Sequence, residues 1–172
     1  VAAFGAVKNL RDIAGTPYAT AVNQLVEAKI LSGYEDNTFR PENPITRAES
    51  AVVLMKAMNP PQEILDQLPA SHFSDMQGSR WAQQAIDYAV AKGFVSGYPD
   101  GTFGPGKYVT YAEFTAMLVN ALGYDPSEVT GSWPANYMNK GFQLGLFENV
   151  DTSDDERFGA NLDATRGNIA LI

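Results

Sequence analysis

Cysteine is absent from the 172 residues, which excludes disulfides, thiolate metal sites, iron–sulfur clusters and thiol nucleophiles together. Histidine occurs once, so a multi-histidine metal site is excluded as well. A Ser-His-Asp triad would have to pass through His72, in the stretch Pro69-Ala70-Ser71-His72-Phe73 ahead of an expected helix; a polar loop residue is the simpler reading. Basic side chains are few, 12 Lys and Arg against 20 Asp and Glu, for a formal charge of −8. That field repels phosphate backbones, so no nucleic-acid partner is expected. Long apolar runs are missing too, none approaching the ~18–20 residues of a membrane span. Nor does the chain open on a basic, apolar-cored leader, so a signal peptide, if the protein is exported, is expected to have been removed. What is present suffices for a core: 45% of residues are hydrophobic and 11% aromatic.

A repeat organises the chain. Ser32-Gly33-Tyr34-Glu35-Asp36-Asn37-Thr38-Phe39 returns 64 residues later as Ser96-Gly97-Tyr98-Pro99-Asp100-Gly101-Thr102-Phe103. Seven residues past each Phe stand Thr46-Arg47-Ala48-Glu49 and Thr110-Tyr111-Ala112-Glu113, again 64 apart. Upstream, Asp12, Gly15 and Tyr18 match Asp75, Gly78 and Trp81 at 63, so the second copy carries one extra residue, assigned here to Gly93. A third copy is fainter. Trp133 answers Trp81 and Gly145 answers Gly93, both 52 apart, and Phe158 precedes Thr165 by seven. Fixed internal spacings of this kind mark tandem units that share a core. The expected division is repeat 1 at 1–59, a linker at 60–72, repeat 2 at 73–124, a linker at 125–132, and repeat 3 at 133–172, its last helix short.

Each repeat reads as helix, loop, helix. Ala21, Val22, Leu25, Val26 and Ala28 keep helical spacing, as do Ala82, Ala85, Ile86, Ala89 and Val90. Glycine is expected to end these helices, at Gly33 and at Gly93 or Gly97. The second helices start at Thr46 and Thr110, each with Glu three residues on, the pattern of a capping box. Their bodies, 48–58 and 112–122, are apolar enough to be buried on most faces. A short amphipathic turn is expected around Ile64, Leu65 and Leu68. The acidic run 151–156 fails the calcium-loop pattern, because Glu156 and Leu162 stand where Gly and Glu are required. A solvated loop is expected there, and no metal or other cofactor in the chain.

The order Phe-Ser-Asp, Trp-Ala, Gly-Phe-Val-Ser-Gly-Tyr-Pro-Asp-Gly-Thr-Phe, then Val-Thr-Tyr-Ala-Glu-Phe resembles the S-layer homology module. The first copy also carries that family's helix start, Ile45-Thr46-Arg47-Ala48-Glu49. The resemblance covers roughly residues 8–172 as three tandem modules. It implies an all-α fold, a pseudo-threefold trimer with a central three-helix bundle and three prongs. It also implies a secreted, non-enzymatic anchor that holds a bacterial surface protein to the cell wall by binding secondary cell-wall polysaccharide, often through terminal pyruvylated N-acetylmannosamine. No membrane insertion is implied. Two other functions stay open: a self-association module making lattice contacts with other copies, or the anchor of a fused cell-wall glycan hydrolase.

Under that resemblance, the glycan-binding candidates are Arg47, Arg166, Asp36, Asp100, Gly101, Trp81, Trp133 and Tyr111. An arginine in a first helical turn offers a bidentate fork to a pyruvyl carboxylate. Trp81 and Trp133 could pack on a sugar face, although Trp81 serves equally as a prong-core residue, and Asp36 or Asp100 could accept hydroxyl hydrogen bonds. Thr46, Glu49, Thr110, Glu113 and Thr165 are read as helix caps. Tyr111 stands where arginine is usual, and Gly167-Asn168 replaces Ala-Glu, which breaks the third capping box and leaves that helix start open to fraying. Unequal grooves are therefore expected, with Arg47 strongest, Arg166 weak and Tyr111 without a fork. As a solvated first-turn charge, Arg47 is expected to matter little to folding.

Overall fold

A computed structural model describes residues 9–172; residues 1–8, which open the expected first repeat, lie outside the described part. Seven α-helices and no strand are found among the described residues, so the chain is all-α as expected. Repeat 1 supplies α1 (Ala19–Glu27) and α2 (Arg47–Met58), followed by the short α3 (Gln62–Asp66). Repeat 2 supplies α4 (Gln83–Ala91) and α5 (Tyr111–Ala121), and repeat 3 supplies α6 (Ala135–Gln143) and α7 (Arg166–Leu171).

The first helices of the three repeats end in one motif. Lys29, Gly93 and Gly145 take positive φ (61°, 74° and 73°), and each following amide reaches back to a carbonyl of the last turn: Ile30 to Leu25, Phe94 to Ala89, Leu146 to Gly141. This is a Schellman cap. Gly93 therefore answers Lys29 and is not the inserted residue. The extra residue of repeat 2 lies between Asp75 and Ala82, because α1 and α4 begin 64 apart while Asp12 and Asp75, which hold matching loops, are 63 apart. Gly33 and Gly97 are not caps. Neither has positive φ; a Cβ on Gly33 would strike Leu10, and one on Gly97 would strike the Phe73 ring. Their role is close approach.

The second helices are capped as the sequence requires. Glu49 N donates to Thr46 Oγ1 at 3.2 Å and Thr46 N to Glu49 Oε2 at 2.9 Å; Thr110 and Glu113 repeat both bonds at 3.2 and 3.0 Å. Thr165 still caps α7, accepting from Asn168 N at 3.3 Å, so half of the third box survives. Burial on most faces holds for α5, which buries seven of its eleven residues, but not for α2, where Lys56 and Met58 are exposed.

Packing runs from each repeat to the next. The second helix of one repeat lies against the first helix of its successor: α2 on α4, α5 on α6, and α7 on α1; α2 also meets α5. Three residues close a ring just before the second helices. Ile45 N donates to Ala164 O (3.0 Å), Ala164 N to Val109 O (2.8 Å), and Val109 N to Ile45 O (3.0 Å). All three side chains are fully buried. One core cluster contains Ala51, Leu54, Phe114, Met117 and Ile169, so α2, α5 and α7 contribute to a shared centre.

Candidate functional site

The ring places the first residue of each second helix against the loop of the following repeat. Arg47 N donates to Lys107 O, Tyr111 N to Leu162 O, and Arg166 N to Asn43 O, at 2.9, 3.0 and 2.9 Å. The side chains go the same way. Arg47 Nε donates to Phe103 O (3.0 Å) and Nη2 to Ser96 O (3.1 Å), while Arg166 Nε donates to Phe39 O (3.0 Å) and Nη2 to Ser32 O (2.8 Å). Each guanidinium lies between two rings, Arg47 between Tyr98 and Phe103, and Arg166 between Tyr34 and Phe39. At 5% and 8% exposure neither is a solvated charge. That expectation is corrected: the fork that would hold a carboxylate already donates to loop carbonyls, of which those of Phe103 and Phe39 belong to fully buried residues.

Two grooves open beside these arginines. The first, about 500 Å³, is bounded by Ser32, Gly33 and Tyr34 of repeat 1, by the α2 face with Glu49, Val52 and Lys56, by Trp81 and Gln84 of repeat 2, and by Arg166 of repeat 3. The second, about 660 Å³, repeats the plan with Ser96, Gly97 and Tyr98, the α5 face with Glu113, Ala116 and Asn120, then Trp133 of repeat 3 and Arg47 of repeat 1. Each groove therefore draws on all three repeats. Arg47 Nη1 lies 4.0 Å from Glu113 Oε1, so the cap of α5 also sets a carboxylate beside the cation. Trp81 and Trp133 stand at the rims, 62% and 53% exposed, which decides against a core role for Trp81. Such indoles are available to stack on an apolar ring face.

Other candidates lie elsewhere. Asp36 accepts from Thr38 N and Oγ1 (3.1 and 2.6 Å), and Asp100 does the same with Thr102 (3.0 and 2.6 Å). The threonine hydroxyls, with the amides beside them, hold both carboxyls below the usual aspartate value. Gly101, at φ 81°, completes the second of these turns. None of the three lines either groove, and the fold accounts for them as turn formers. Tyr111 is fully buried, its ring 4.7 Å from that of Phe158, and its hydroxyl accepts from Asn168 Nδ2 at 2.7 Å. It presents no surface to a ligand, which corrects its place among the ligand-facing residues.

Residues not singled out from sequence also matter. Lys56, Gln84 and Asn120 face the grooves, and the Ser-Gly-Tyr loop starts form one wall of each. The repetition of Ser-Gly-Tyr was a visible signal; Lys56 and Asn120 occupy the same repeat position with different residues, and no repetition could flag them.

An all-α chain of tandem repeats closed by a backbone ring, with grooves shared between repeats, defines the architectural class. The S-layer homology domain matches residues 9–51 and 72–115, together half of the chain, and the protein belongs to that family. The match includes repeats 1 and 2. Among curated relatives, a surface layer protein of Brevibacillus choshinensis is 31% identical over 82% of this chain and 12% of its own length. A middle cell wall protein of Brevibacillus brevis is 31% identical over 86% of the chain and 13% of its own length. A cellulosome-anchoring protein of Acetivibrio thermocellus is 41% identical over 84% of the chain and 35% of its own length. The chain thus spans about a third or less of each of these relatives.

Proposed function

We propose that the chain is a non-catalytic cell-wall anchor at the bacterial surface, and that its two inter-repeat grooves bind an anionic secondary cell-wall polysaccharide, with a terminal pyruvylated N-acetylmannosamine as the unit recognised. Relatives named for surface layers, cell walls and anchoring support the coarser reading. The observation that carries the finer one is the convergence, twice, of an arginine, a cap carboxylate and an exposed tryptophan from three repeats. The indole takes the apolar ring face and the glutamate accepts sugar hydroxyl hydrogens. The arginine supplies positive charge in a partly desolvated wall, where it acts more strongly than in water. A net charge of −8 gives no long-range attraction for an acidic glycan, so affinity has to come from these local contacts.

The first groove holds two cations, Arg166 and Lys56, against Glu49, whereas the second holds Arg47 against Glu113 with neutral Asn120 in place of the lysine. The first groove is therefore ranked ahead for an anion, the reverse of the order read from sequence. Calorimetric titration with the pyruvylated sugar and with its pyruvyl-free counterpart tests the reading. Tighter binding of the pyruvylated sugar is expected, weakened by Lys56→Ala more than by Asn120→Ala. Equal binding of the two sugars would remove the carboxylate from recognition.

A further inference from the structure

The third seam of the ring, between repeats 2 and 3, departs from the groove plan at two residues that touch each other. Where Arg47 approaches Glu113, the corresponding positions are Tyr111 and Asn168. The tyrosine hydroxyl stands in for the missing carboxylate. Thr46 N and Thr110 N donate to glutamate oxygens, whereas Thr165 N points at Tyr111 Oη, 3.4 Å away. The same oxygen accepts from Asn168 Nδ2 at 2.7 Å. The phenol ring fills the space against Phe158. The rim differs as well, since two residues before the first helix stands Trp81 in repeat 2 and Trp133 in repeat 3 but Pro17 in repeat 1.

We infer that Tyr111 and Asn168 form a coupled, uncharged replacement for the arginine–glutamate pair, sealing the third seam while denying it to an anionic ligand. The ligand half of this inference rests on the proposed function; the coupling half does not. Each residue is matched to the other. An arginine beside Asn168 would lack its carboxylate, and a glutamate beside Tyr111 would lack its cation, so neither change alone restores a groove. Tyr111 and Asn168 are specificity-determining in this sense: they set the binding capacity of the chain at two.

The test is a pair of double-mutant cycles read by thermal melting of the whole chain. Tyr111→Arg and Asn168→Glu should each lower the midpoint by at least roughly 2–4 °C, and the double variant should recover at least half of the summed loss. Tyr111→Phe, the milder change, should lower the midpoint clearly in the native chain and much less in an Asn168→Ala background. A double variant melting where simple addition places it, or a Tyr111→Phe loss independent of Asn168, would overturn the coupling. Titration of the native chain with the pyruvylated sugar should saturate at two equivalents, and a third would overturn the seal. Should the native chain bind none of that probe, the proposed function fails while the melting cycles still decide the coupling.

Discussion

A guanidinium carries five donors in one plane, and Arg47 commits two of them to the carbonyls of Phe103 and Ser96. Removing it leaves the carbonyl of fully buried Phe103 without that donor, while that of exposed Ser96 can turn to water. Arg47→Ala should therefore cost about 1–3 kcal/mol in urea unfolding, and Arg47→Lys should recover little, because an ammonium cannot span both oxygens. A wild-type midpoint for Arg47→Ala would show that the residue serves the ligand alone. Asp75 acts by a similar route. Burial pushes its carboxyl up, but the amides of Phe103 (2.9 Å) and Gly104 (2.7 Å) together outweigh that and hold it below the usual aspartate value. A lowered folded value means stability that is complete above the unfolded value, near ~3.9, and is lost as pH falls through the folded one. Asp75→Asn should lose about 1–2 kcal/mol at neutral pH and lose less than wild type on further acidification. An unchanged acid limb would show that Asp75 does not drive it. At this scale the sequence was partly legible. Asp12 and Asp75 were visible as repeated residues, but their partners lie 27 or more residues away and no local pattern reveals them.

Helix starts were the most legible elements, because a capping box is local: donor and acceptor sit three residues apart. Thr46, Glu49, Thr110 and Glu113 make the bonds their spacing requires, and Thr110→Ala should cost about 1 kcal/mol in chemical unfolding. Helix ends were less legible. Glycine is the expected marker, yet Lys29 takes the left-handed position in repeat 1, where the Ile30 amide bonds back to Leu25 O and Leu31 is buried in the core beside α1. The repetition of Gly33 as Gly97 has another physical cause, the approach of Leu10 and Phe73 to within contact of a missing Cβ. Gly97→Ala should push Phe73 off Phe103, whose rings lie 5.4 Å apart, and destabilise by about 1–3 kcal/mol. A wild-type melting midpoint would mean that Phe73 gives way without cost.

Over the whole molecule, each repeat is completed by its neighbours. The second helix of one packs on the first helix of the next, the ring of Ile45, Val109 and Ala164 joins all three, and each groove needs a loop and a helix face from one repeat, a tryptophan from the next and an arginine from the third. Helix content, and Arg47, Arg166, Trp81 and Trp133 as residues that come to line the grooves, could be read from the sequence. Which repeat supplies which wall could not, because that follows from contacts as distant as Arg166 with Ser32, 134 residues apart. The rim tryptophans, being more than half exposed, test with least disturbance whether these grooves hold the wall polymer. The measurement is retention of the chain on purified sacculi, with and without acid extraction of the secondary polymer, for wild type and a Trp81→Ala/Trp133→Ala double variant of matching melting midpoint. Wild type is expected to be retained on intact sacculi and at least tenfold less on stripped ones, with a similar loss for the double variant on intact ones. Retention of wild type on stripped sacculi, or undiminished retention of the double variant, would contradict binding of the polymer in the grooves.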